Sequence, residues 1–278
     1  MSLGEHAPPH IGTINYRKNL TPDLAIIRVQ PADGRPVPDF KAGQFVALGL
    51  KLNGHHNITY RPYSLSSPPE EKRYFEFYIK SASEHALSGF TSTLFKMFEG
   101  DLIYWRNPAG AFTLEDKKAD GAPDTRRLVL VASGTGLAPF ISYVLHLKNN
   151  NSKREIVLLH GAKYVQELGY CDMLKNLSAS DANFKYLTTV SRPDHELSRD
   201  WRGNVGRVET LLEGKDGCKS QLEKAVGEKV TPENSFFHIC GYPGTVNAVI
   251  SILSPLGFVP NRKKREDGSF DIKIETYI

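Results

Sequence analysis

The feature that most constrains this chain is a change of rhythm between its two halves. From about His10 to Leu114, short β-rich runs alternate with Gly, Pro and Asn turns: Ile11–Tyr16, Leu24–Val29, Gln44–Leu50, Ile58–Leu65, Tyr74–Lys80 and Asp101–Arg106. Strands at such spacing predict a sandwich or a barrel. One helical stretch, Thr91–Phe98, interrupts them, with Thr and Ser suited to N-capping at its start.

Past a polar segment carrying Gly121 and Pro123, the pattern becomes strand–helix–strand. Leu128–Ala132 is an apolar run and Ala138–Leu147 reads as a helix. Glu155–His160, Phe184–Val190 and Phe236–Ile239 read as buried strands with helical stretches between them. That alternation predicts a parallel sheet with right-handed crossovers. The expected organisation is therefore a β domain over 1–116, a linker over 117–126 and an α/β domain over 127–278. Ser191–Asn204 is a long polar connection, of the kind that is either floppy or functional.

Two domains suit a length of 278 residues, and 40% hydrophobic with 24% charged residues is ordinary for a globular chain. The net charge of +4 reads first as a solvated surface and second as a field attracting acidic partners. Three separated cysteines, Cys171, Cys218 and Cys240, argue against a disulfide framework. Three thiols are also too few for an all-cysteine iron–sulfur cluster. No apolar run is long enough to span a membrane. Residues 1–12 carry neither a signal nor a transit pattern, so a cytoplasmic protein is expected.

Several motifs could carry chemistry. In Arg61-Pro62-Tyr63-Ser64, strand alternation puts Arg61 and Tyr63 on one face and Ser64 on the other. Arg61 offers a planar fork of donors to a phosphate pair, although an edge-strand Arg beside a packed Tyr would look the same. Gly89-Phe90-Thr91-Ser92-Thr93 opens the helix of the first half, and a helix N-terminus is either a plain cap or an anion site. Together with Arg61 it could bracket a pyrophosphate.

In the second half, Ser133-Gly134-Thr135-Gly136-Leu137-Ala138-Pro139 joins a strand to a helix. Glycines there permit a tight turn and close approach to a phosphate, though Pro139 stands where a third glycine would complete the dinucleotide fingerprint. Lys163, Arg192 and Arg207 follow strand ends, where cations suit a ribose 2′-phosphate. Cys240-Gly241-Tyr242-Pro243 leaves another strand; a buried Cys is ordinarily a small hydrophobe, but the Gly-x-Pro beside it suggests a shaped ligand edge. The sequence finishes Glu275-Thr276-Tyr277-Ile278.

In this order, the R-x-Y-S, G-T-G-x-x-P-F, V-S-R, C-G-x-P and terminal E-x-Y stretches resemble the bacterial-type ferredoxin/flavodoxin–NADP+ reductase family, from about Ile14 onward. The resemblance implies an antiparallel Greek-key β-barrel that binds FAD, followed by a parallel-sheet NADP(H) domain. It implies that Arg61, Pro62 and Ser64 contact the FAD pyrophosphate and flavin N5 region, with Tyr63 packing on the isoalloxazine. Tyr78, Ile79 and Lys80 would line the FAD, and Thr91, Ser92 and Thr93 would meet its phosphates. Thr135 would belong to the nicotinamide-dinucleotide loop, and Lys163, Arg192 and Arg207 to the 2′-phosphate site. Ser64, Cys240 and Glu275 would shape the hydride site, with Tyr277 covering a flavin face. Lys163 stands where Arg is frequent in the family, and Ile278 where some relatives carry an aromatic.

The implied activity is electron transfer between NADP(H) and a one-electron carrier, an acidic ferredoxin or flavodoxin, by hydride passage to flavin N5 and then single-electron release. The implied protein is a monomer with no metal, no nucleic-acid partner and no membrane insertion. Two other readings stay open: a reductase feeding an oxygenase or reducing free flavin, and a non-catalytic flavin-binding protein.

Overall fold

A computed structural model describes residues 9–52, 57–81, 89–214 and 217–277. The chain packs as two units, one comprising Met1–Thr113 with Ile141–His146 and the other Leu114–Phe140 with Leu147–Ile278.

The first unit contains β1 (His10–Thr21), β2 (Leu24–Pro31), β3 (Phe45–Lys51), β4 (Ile58–Ser64), β5 (Phe75–Lys80), a five-residue helix α1 (Phe90–Leu94) and β6 (Leu102–Trp105). Its sheet runs β4-β3-β6-β1-β2-β5, every neighbour antiparallel. β6 slots between the two hairpins, which makes the order a Greek key rather than a meander. The end strands meet at a Leu65–Phe77 bridge, where Ser66 N–H donates to the Glu76 carbonyl at 2.8 Å, and so the sheet closes as a barrel.

Period-two alternation decides what fills it. Ala25, Ile27 and Val29 point inward from β2, Val46 and Leu48 from β3, and Phe75, Phe77 and Ile79 from β5. On the other side of the β2–β5 ladder Arg28 faces Glu76, its cross-strand partner, at 2.7 Å. The guanidinium lies between the Tyr16 and Tyr74 rings, 4.6 and 4.5 Å from their centroids. Phe90 and Leu94 of α1 join the same core.

The second unit contains β7 (Arg127–Ser133), α2 (Ala138–Asn149, whose middle belongs to the first unit), β8 (Ile156–Ala162), α3 (Cys171–Ser180), β9 (Phe184–Val190), β10 (Asn204–Val205), α4 (Gln221–Val226), β11 (Ser235–Gly241), α5 (Pro243–Leu253) and β12 (Ile272–Thr276). All neighbours in the order β10-β9-β8-β7-β11-β12 are parallel. Successive strands move outward from β7 in one direction, and the chain then returns to lay β11 on the other side of β7. The crevice beyond the carboxyl ends of β7 and β11 is thus the switch point at which open α/β sheets bind ligands.

Starts and ends of helices follow local chemistry. Ser220 and Glu223 form a reciprocal capping box on α4, which ends at Gly227 with φ +82°. Pro243 opens α5. Residues 117–126, expected as a linker, turn back on themselves through a Lys117–Pro123 bridge. They end at a buried Asp124 that accepts from Arg126. The polar connection 191–204 is short-ranged in structure: Trp201 Nε1 donates to the Asn204 carbonyl at 2.9 Å, and the chain rejoins the sheet as β10. Among the described residues, no helix is long and apolar enough to cross a membrane, and the three cysteines are free.

Candidate functional site

In the first unit, β4 carries Arg61, Pro62, Tyr63 and Ser64 opposite Leu48, Ala47, Val46 and Phe45 of β3. Directly paired residues share a face, so Arg61 and Tyr63 lie on the side of the core residues Leu48 and Val46. The end strands are bridged at Leu65–Phe77, and the half-buried Tyr63 packs against the barrel core beside that seam. α1 comes to this seam. The Tyr63 ring packs 6.0 Å from Phe90, and its hydroxyl lies 2.9 Å from Thr91 Oγ1. Burial raises the Tyr63 phenol above its usual pKa, against the opposing hydrogen bond to Thr91. Tyr63 thus holds the strand motif and the helix start together, as an Arg fork bracketing a phosphate with a helix N-terminus requires.

Arg61 is exposed, with Nη1 donating to the Tyr60 carbonyl at 2.9 Å. Ser92 and Thr93 both donate to the Gly89 carbonyl, and no side chain caps the helix at Gly89. On β5, Tyr78 is buried, Lys80 pairs with Asp23 at 3.6 Å, and Ile79 lies in the barrel core. Any contact Ile79 makes with a ligand is therefore through its main chain.

In the second unit, Thr135, Cys240, Glu275 and Tyr277 meet at the switch point. Parallel register puts Cys240 beside Ala132 on one side and Glu275 on the other. Cys240 Sγ lies 3.2 Å from Tyr277 Oη and 3.7 Å from Glu275 Oε2, while Tyr277 Oη donates to the Thr135 carbonyl at 3.4 Å. Burial, reinforced by the Glu275 charge, pushes the Cys240 thiol well above its usual pKa. It is a neutral S–H at working pH and not a nucleophilic thiolate. The turn between β7 and α2 takes Gly134 to φ +56°, the left-handed region.

The three cations follow adjacent strands. Ala162, Val190 and Val205 are in register across β8, β9 and β10, and Lys163, Arg192 and Arg207 come one or two residues later, all exposed. Arg192 N–H donates to the Lys163 carbonyl at 3.0 Å. Between these two side chains sits a residue that sequence reasoning missed, Tyr164, whose hydroxyl accepts from Arg192 Nη1 at 3.3 Å. An aromatic directly after a strand-end cation was the available signal. Ile278 lies outside the described residues.

Residues 12–114 match the oxidoreductase FAD-binding domain and residues 130–250 the oxidoreductase NAD-binding domain. A flavodoxin/ferredoxin–NADP reductase of Buchnera aphidicola subsp. Schizaphis graminum is 29% identical over 250 residues, covering 87% of this chain and 89% of that protein. The reductase component of a Pseudomonas phenol 2-monooxygenase is 27% identical over 252 residues, 90% of this chain and 63% of that protein. A crystal structure of a ferredoxin NADP+ reductase from Neisseria gonorrhoeae, with bound FAD and NADP, superposes with a TM-score of 0.77 at 25% identity, over 98% of this chain and 99% of that one.

The residues present fit both nucleotides. The exposed Arg61 guanidinium, and the main chain at the start of α1 that no side chain caps, have the donor chemistry a pyrophosphate takes. At the switch point a side chain on Gly136 would fill the space beside the Cys240 carbonyl, so main chain alone can line that turn.

Proposed function

Because the chain belongs to the ferredoxin/flavodoxin–NADP+ reductase family, we propose that it moves electrons between NADP(H) and a small one-electron carrier protein, ferredoxin or flavodoxin, by way of FAD. The observation that carries the NADP(H) half is the layout of one sheet edge. Cations follow β8, β9 and β10, and the Cys240–Glu275 pair lies at the ends of β11 and β12. From β9 to β11 is three strand spacings, about 14 Å, a span suited to an extended dinucleotide with its 2′-phosphate at one end and its nicotinamide at the other.

Bound FAD supplies the chemistry that links a two-electron hydride donor to a one-electron acceptor. The chain's own residues bind, orient and exclude. Arg61 and the α1 start hold the FAD pyrophosphate, with Tyr63 fixing their separation. Lys163, Arg192 and Arg207 hold the 2′-phosphate. Cys240 stays protonated, and so walls the nicotinamide site with a small neutral group instead of attacking the ring. Glu275 supplies a hydrogen-bond acceptor at the same edge, and Tyr277 occupies the crevice until a nicotinamide competes for it.

Stopped-flow absorbance with NADPH and NADH in parallel tests this reading. Yellow protein should bleach faster with NADPH and recolour on adding oxidised ferredoxin or flavodoxin. Protein that takes up no flavin, or that bleaches equally with both coenzymes, would refute it. The likeness to a phenol 2-monooxygenase reductase component supports a second reading, delivery of electrons to an oxygenase. Recolouring by an oxygenase and not by either small carrier would favour it.

A further inference from the structure

We infer that Tyr164 is a positioning residue for coenzyme choice, drawing Lys163 and Arg192 to one point and so setting preference for a 2′-phosphorylated adenosine. The inference rests on the proposed placement of the 2′-phosphate at these cations.

Both cations are exposed and carry long, mobile side chains. Left alone, like charges spread apart, and each would lose rotamer freedom on closing around a phosphate. Tyr164 counters both effects. Its ring lies 4.9 Å from Lys163 Nζ and 6.0 Å from Arg192 Cζ, within cation–π range. Its hydroxyl also accepts from Arg192 Nη1 at 3.3 Å. One side chain therefore attracts both charges toward itself.

The anchor is itself fixed. Although its neighbours are exposed, Tyr164 is only 8% exposed. The His195 ring packs against it at 4.4 Å and 36°. His195 is pinned in turn, since its Nδ1 accepts from Leu197 N–H at 3.2 Å. The main chain on either side is tied down by Glu167 N–H to the Tyr164 carbonyl and by Val165 N–H to Ser198 Oγ. A buried, clamped ring that gathers two exposed cations has the form of a support for a dianion. For core packing alone, a Phe or Leu without the hydroxyl would serve.

The test compares binding of 2′,5′-ADP and 5′-AMP to the flavin-loaded protein by calorimetry, supported by the NADPH/NADH ratio of KM. Tyr164→Phe keeps the ring but loses the Arg192 bond; the preference for 2′,5′-ADP should fall about threefold, the low end of the net range for a hydrogen bond, as suits a 3.3 Å contact with an exposed side chain. Tyr164→Leu removes ring and hydroxyl and should lower it about tenfold, two cation–π contacts added to that bond. Arg192→Ala is the reference. If it lowers the preference while both Tyr164 variants keep the parent ratio, the inference is overturned and the 2′-phosphate site stands. If Arg192→Ala also keeps the parent ratio, the site lies elsewhere and both readings fall. Tyr164→Phe changes one atom of a buried ring, so its result is readable even should the Leu variant fold poorly.

Discussion

Gly136 lies so close to the Cys240 carbonyl that a Cβ on residue 136 would sit 2.2 Å from the oxygen. The obstacle is backbone of a central strand, which cannot swing aside as a side-chain tip could. The dinucleotide turn and the end of β11 are therefore set against each other across the switch point, and glycine is what permits it.

Gly136→Ala should accordingly push the turn away from β11. Overpacking of this kind costs about 1–3 kcal/mol, and the displaced turn should raise KM for NADPH. Flavin content should be retained, since the first unit carries the candidate FAD residues. Thermal melting with a flavin absorbance spectrum checks both parts; a variant with parent stability and parent KM would show that the approach is slack.

A buried ion network supports the opposite end of the same sheet. Asp271, immediately before β12, accepts from Arg126 Nη1 at 2.9 Å and also pairs with Arg265, while Arg126 additionally pairs with Asp124. Asp271→Ala should destabilise the second unit by less than the ~3–5 kcal/mol of a fully orphaned buried pair, because Arg126 keeps Asp124. Asp33→Ala, which breaks the exposed Arg35–Asp33 pair, should cost under ~1 kcal/mol. Chemical denaturation of the two variants side by side gives the comparison, and equal effects would remove the network's special role.

That network also marks where reading the sequence runs out. The β-branched and aromatic runs Leu24–Val29 and Tyr74–Lys80, set between turn residues, betrayed β2 and β5, because composition and flanking turns are local signals. The strand–turn–helix at Thr135 was legible because turn chemistry is local, and the strands carrying Arg61 and Cys240 because their apolar runs are. Arg126 and Asp271, by contrast, are 145 residues apart and meet through strand order, which no local pattern encodes. β12 was missed for a related reason: Ile272–Thr276 is short and follows a basic loop, and parallel pairing with β11 is what makes it a strand. Tyr164 escaped because an aromatic after a strand reads as core until its two cationic neighbours are seen around it.

His160 gives the second unit a pH dependence. Its ring is fully buried with Nδ1 2.9 Å from Tyr186 Oη, and burial pushes its pKa down to about 3. Unfolded, it binds a proton below its ordinary value of about 6.5. Between those limits the unfolded state holds more protons, so stability falls as pH drops below 6.5, by up to about 1.4 kcal/mol per pH unit. Well above pH 6.5 the group contributes no slope. His160→Gln should flatten the melting temperature between pH 5 and 6.5, a window above the titration of the paired carboxylates. A variant with the parent slope would assign that dependence to other groups.

Tyr277 ties three strand ends together. Its N–H donates to the Gly241 carbonyl at 3.2 Å, its hydroxyl donates to the Thr135 carbonyl at 3.4 Å, and Cys240 Sγ lies 3.2 Å from that hydroxyl. A nicotinamide entering the same crevice must first loosen these side-chain contacts, at about 1 kcal/mol for each hydrogen bond. That cost falls on NADPH and NADH alike, but NADPH has a 2′-phosphate with which to meet it. Tyr277→Ser removes both the ring and the reach of its hydroxyl. NADP+ should then bind about tenfold tighter, the equivalent of ~1.4 kcal/mol released, and NADH should gain turnover relative to NADPH because it no longer lacks the means of entry. Tyr277→Phe keeps the ring without the hydroxyl and should fall between the two. Equilibrium titration with NADP+ and kcat/KM for both coenzymes measure this, and a Ser variant with parent affinity and parent coenzyme ratio would mean that Tyr277 does not compete for the crevice.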